Sequence, residues 1–144
     1  MALTKHAAYT AAIASTLTTE LNSLANATLS SASSEIDNSS NKDLFVDLTL
    51  TVAAQGSARS AGATVEIWMT MALDGTNHDD MVRNVAELVA VFPLDAATTA
   101  RQSTRRDVPI PPGKIKFAAY NSTGQAFASS GNIVEYRAHS IETA

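Results

Sequence analysis

The sequence predicts an all-β protein, an antiparallel β-sandwich or jelly roll with an extended N-terminal arm, and three observations predict it. Leu44, Val46, Leu48, Leu50 and Val52 point one way while Phe45, Asp47, Thr49 and Thr51 point the other, the period-two pattern of a half-buried strand. Further alternating runs follow, separated by Gly, Pro, Asn and Asp turns at the spacing of about eight to twelve residues that sandwiches use. Helix-length periodicity is confined to 80–89, where Met81, Val82, Val85 and Leu88 fit one or two helical turns, and to the N-terminal third.

Taken in order, residues 1–15 form the arm and 16–144 a single sandwich domain. The arm is poor in large apolar side chains, so burial cannot offset the entropy of ordering it alone, and it is expected to order against a partner. Leu17, Leu21 and Leu24 have helical spacing, but Thr16, Thr18 and Thr19 favour extended backbone, so 15–24 is read as a first strand. Ser30 to Ser34 and Asp37 to Asn41 read as loop. A strand from Leu44 to Ala53 ends at Gln55-Gly56-Ser57, and the next places Val65, Ile67, Met69 and Met71 on one face and Glu66, Trp68 and Thr70 on the other. Trp68, the single tryptophan, then packs under a loop or sits at an interface. Asp74-Gly75 is a turn signal, Leu88 to Leu94 another strand, and Pro109, Pro111 and Pro112 mark an edge or turn because proline cannot donate to a ladder. Alternation resumes at Ile115 and Phe117, breaks at the Asn121 to Gly124 turn and closes with Asn132 to Ala138. The core is predicted to hold Val46, Leu48, Leu50, Ile67, Met69, Phe92, Ile115 and Phe117.

Composition narrows function. The chain has 144 residues, no cysteine and a net charge of −4, with 6% aromatic and 17% charged residues. The acidic balance argues against bulk nucleic-acid binding, which needs a basic surface to release counterions. Lack of cysteine removes disulfides, thiolate metal sites and cysteine nucleophiles. The sequence has no run approaching the roughly 20 apolar residues of a membrane span and no continuous apolar signal segment, so a protein folded in the cytosol is expected.

No constellation announces catalysis or a cofactor. Asp74, Asn77, His78, Asp79 and Asp80 offer hard oxygen ligands, yet they lack the order and closing Glu of a calcium loop, and a solvated hairpin is the simpler account. His6, His78 and His139 are far apart in sequence and form no helical pair, so no metal site is predicted. Serines are abundant without a nucleophile elbow, and Asp47 and Glu66 read as exposed strand carboxylates. Arg101, Arg105 and Arg106 form the densest positive patch, a solvated loop or a grip for an anionic partner surface, and with Trp68 they are the interface candidates. Exposed aromatics for a glycan would be Trp68, Tyr120 and Tyr136.

The segments Leu21 to Ala25 (LNSLA), Ile36 to Asn41 (IDNSSN), Leu73 to Asn77 (LDGTN), Val108 to Lys116 (VPIPPGKIK) and Asn121 to Ala126 (NSTGQA), followed by Ser130-Gly131-Asn132, resemble a group of small virion proteins of tailed bacteriophages. The resemblance spans roughly residues 15 to 138 and consists of turns and strand ends in a fixed order. It implies a jelly-roll-like structural part of the particle, a capsid decoration or cement protein assembled in the host cytoplasm. Its partners would be the major capsid protein and copies of itself, as a trimer. The rival reading is a carbohydrate-binding module on a tail fibre or tailspike, which would use the same sandwich with a loop-borne sugar site.

Overall fold

The computed structural model describes residues 2–143. Its strands are β1 (Thr4–His6), β2 (Ala14–Leu17), β3 (Thr28–Leu29), β4 (Ile36–Asp37), β5 (Phe45–Val52), β6 (Thr64–Ala72), β7 (Glu87–Pro93), β8 (Arg101–Pro109), β9 (Lys114–Ser122), β10 (Ile133–His139) and β11 (Ile141–Thr143), with a 3-10 turn at Thr19–Leu21. One sheet runs β2-β10-β5-β8 and the other β3-β9-β6-β7, with β4 also pairing β9. Every ladder is antiparallel. Counting β3 and β4 as one interrupted strand, β2 to β10 have the strand order of a jelly roll.

The interruption between β3 and β4 is where Ser30 and Ser33 replace the ladder. Their hydroxyls accept from the Ala119 and Phe117 amides, and their own amides donate to the Ala119 and Phe117 carbonyls, so β9 keeps its backbone groups satisfied there. The core between the sheets contains Val46, Leu48, Leu50, Val65, Ile67, Met69, Phe92, Ile115, Phe117 and Val134, all at most 4% exposed. All eight residues expected in the core are there. At the β9 end, Gly124 has φ +83 and no room for a side chain, since a Cβ would fall 1.9 Å from Ser60 Oγ.

Four expectations are corrected. The first strand stops at Leu17, and Leu21 and Leu24 reach the core through hydrogen-bonded turns, with Ser23 at φ 54. The segment 80–89 makes no helix: Asn84 takes φ 68, which breaks a right-handed run, and Val82 and Val85 stay in water. The arginine cluster expected in a loop lies in β8, an edge strand with a single buried residue, Val108. The arm is extended but not unpaired. Thr4, Lys5 and His6 pair with Thr143, Glu142 and Ile141, so the two chain ends form a ribbon, and the first sheet already begins at Ala14.

Candidate functional site

The site is built on a bulge. Between the pairs Val46/Val108 and Leu48/Arg105 the β5–β8 register shifts, so Arg106 and Asp107 stand opposite Asp47 alone. Asp107 adopts φ 56, and its amide donates to Asp47 Oδ1 over 2.9 Å. Bulges re-aim side chains. This one brings Asp107 Oδ1 within 3.2 Å of His139 Nε2 at the end of β10. The same nitrogen is 3.1 Å from Asp47 Oδ1.

The terminal ribbon completes the cluster. His6 of β1 places Nδ1 3.8 Å from Asp107 Oδ1, and the Tyr9 hydroxyl donates to Asp47 Oδ2. The His139 ring is held by Phe45, stacked at 5.6 Å, by the edge contact of Tyr9 at 5.5 Å, and by His6 at 5.4 Å. A cavity of about 130 Å³ opens here, lined by His6, Ala7, Tyr9, Asp47, Arg106 and His139. Burial pushes the Asp47 carboxyl up, but hydrogen bonds from Tyr9, the Asp107 amide and His139 outweigh it and hold Asp47 below the usual carboxylate range. Tyr9 is raised, first by its hydrogen bond to Asp47 and then by burial.

The interface residues anticipated from sequence do not converge. Arg101 pairs with Asp95, while Arg105 donates to the Val91 carbonyl at 2.7 Å and lies 5.6 Å over the Phe92 ring, so both bridge β8 towards β7 and the Asp95 turn after it. Arg106 alone reaches the cavity. Trp68 is 6% exposed, and its indole donates to Glu66, which also accepts two bonds from Arg83. Arg83 in turn lies 3.8 Å over Tyr120, and Tyr136 packs against the core, so none of the three aromatics offers an open stacking plate.

The acidic turn does not form one ligand set. Asp74 accepts from the Thr76 and Asn77 amides and from Asn77 Nδ2, and the Asn77 and Thr76 amides lead in lowering its pKa from 3.8 to about 2. His78 is occupied with Glu35 at 2.8 Å, and Lys114 holds the other oxygen of that carboxylate. Among the described residues, the group of metal-capable side chains brought within 4.8 Å of one another is His6, Asp107 and His139. Sequence reasoning set His6 and His139 aside for their separation and did not single out Asp107. The signal available was that each histidine lies near a chain end, so pairing of the termini would unite them.

No family model matches the chain, and no curated protein matches it. Loose structural resemblances exist. TmCBM61 bound to β-1,4-galactotriose aligns with TM-score 0.32 and 8% identity over 78% of this chain, which spans 61% of that one. CBM32-1 from a family 31 glycoside hydrolase of Clostridium perfringens aligns at 0.32 with 14% identity, covering 94% and 93% of the two chains. A chain of the Israeli acute paralysis virus particle aligns at 0.35 with 8% identity, covering 100% and 71%. Alignments this loose carry no argument about function, and the jelly roll rests on the strand order itself.

Proposed function

We propose that the chain is a virion structural protein that decorates the outside of a capsid. The observation that carries this reading is the apolar surface along β7 and the segment leading into it. Leu73, Val82, Val85, Leu88 and Val91 are 88%, 51%, 68%, 45% and 37% exposed. Apolar side chains left this exposed along an edge strand and the segment leading into it are better covered by a protein partner than by water. The sequence resemblance to phage virion proteins supports the choice of partner, the major capsid protein, with self-association into a trimer. Jelly rolls serve in capsids and lectins alike, so the fold is compatible without being decisive.

Location tests the proposal. Density for this chain at capsomer junctions of intact particles, lost on Val91→Lys without loss of folding, is the expected result. Density at fibre tips, together with binding to host-surface glycans, would replace decoration with the carbohydrate-binding alternative.

A further inference from the structure

The geometry points to a divalent transition-metal site of the zinc class, formed by His6 Nδ1, Asp107 Oδ1 and His139 Nε2, which staples the N-terminal arm to the jelly roll. Two imidazoles and a carboxylate are a donor set suited to such an ion. Bonds of about 2.0–2.2 Å in a tetrahedron put ligand atoms about 3.3–3.6 Å apart. Here His139 to Asp107 is 3.2 Å, Asp107 to His6 is 3.8 Å, and all three atoms lie within 4.8 Å of one another. His6, the most exposed of the three, is the ligand that would move in, by a few tenths of an ångström towards Asp107.

The surroundings are those of a prepared site. Phe45 and Tyr9 fix the plane of the His139 ring, and the bulge fixes Asp107 through the Asp47 bond to its amide. Asp47 positions Asp107 through its amide and is itself held by Tyr9, and its contact to His139 Nε2, the nitrogen that binds the ion, is given up on binding. With neutral imidazoles, the carboxylates of Asp47 and Asp107 balance the charge of a divalent ion. The cavity of about 130 Å³ beside the cluster, lined by His6, His139 and Arg106 among others, would have room for a water or an anion completing the shell. His6 belongs to β1, Asp107 to β8 and His139 to β10, so the ion cross-links an arm that buries little to the first sheet. This inference stands apart from capsid attachment and survives if that assignment fails.

The experiment uses the full chain stripped with chelator and titrated with Zn²⁺, and with Co²⁺ as a visible reporter of tetrahedral coordination. One ion per chain, a tetrahedral Co²⁺ spectrum and a raised melting temperature are expected. At zinc about 100 times its dissociation constant, the undocked arm population falls about 100-fold, read as slower proteolysis within residues 2–13. His6→Ala and Asp107→Asn should each abolish the spectrum and the protection. Both alter exposed side chains, and asparagine tolerates the left-handed backbone of residue 107, so both variants fold. No stoichiometric binding to the intact chain, or binding of equal strength in both variants, overturns the site.

Discussion

Arg59 shows how much a single residue can hold without any pattern to reveal it. It sits in an Ala/Ser loop between two strands, and its side chain is 0% exposed. Its guanidinium donates to the Asp95 and Thr99 carbonyls, to Gln55 Oε1 and to Asp95 Oδ1. Removing it strands several acceptors, each worth about 1–3 kcal/mol when buried without a partner. Arg59→Ala should therefore cost about 3 kcal/mol or more in urea unfolding, whereas Arg101→Ala, which breaks a solvent-exposed pair to the same Asp95, should cost far less. Equal losses would show that burial does not distinguish the two. Nothing in the local sequence separates these arginines, because the difference lies in where the loop carries them.

At the scale of elements, what the sequence discloses depends on how much of a strand is buried. β5, β6 and β9 were legible because one face of each fills the core, and Val46, Leu48, Leu50, Ile67, Met69, Ile115 and Phe117 stand where the pattern put them, whereas Asp47 and Trp68, expected on the outward face, are buried as well. β8 was hidden because an edge strand with one buried residue carries no alternation, and its arginines instead occupy a border that would otherwise invite another strand. The turn after β6 was legible from Asp74-Gly75, and its chemistry yields a pH prediction. The Asp74 pKa falls from 3.8 to about 2 on folding, so the turn's contribution is present above about pH 4 and fades as pH falls through 2. Asp74→Ala should lower the melting temperature at pH 7, and the gap to the parent protein should narrow steadily below pH 4 and be small by pH 2. A gap as wide at pH 2 as at pH 7 would mean that the carboxylate's charge is not what holds the turn.

For the whole molecule, the arm decides whether the ends are ornament or structure. The sequence marked it as extended and weakly apolar, and both are so. Its partners were not legible, because they are distant in sequence, most of them near residue 140, and the contacts are polar. Ala7 and Thr10 amides bond the Ser140 and Ala138 carbonyls, Arg137 bonds the Ala11 carbonyl, and the Thr10 and Tyr9 hydroxyls satisfy Asp43 and Asp47, which are 5% and 8% exposed. Such an arm contributes by satisfying buried acceptors, and it adds little to the apolar area buried on folding. Deleting residues 2–12 should leave a folded jelly roll, because the core begins at Leu17, but one less stable by about 1–3 kcal/mol as Asp43 loses the Thr10 hydroxyl and Asp47 keeps only the Asp107 amide and His139. The urea m-value, which follows area, should barely change. A large fall in m would mean that the arm is part of the cooperative core. If the arm also grips the capsid, the truncated protein will occupy purified particles less fully than the intact one at equal concentration, since each copy loses one of the weak contacts that a lattice multiplies. Full decoration by the truncated, folded protein would confine the arm's role to the protein's own stability and leave attachment to the apolar surface along β7.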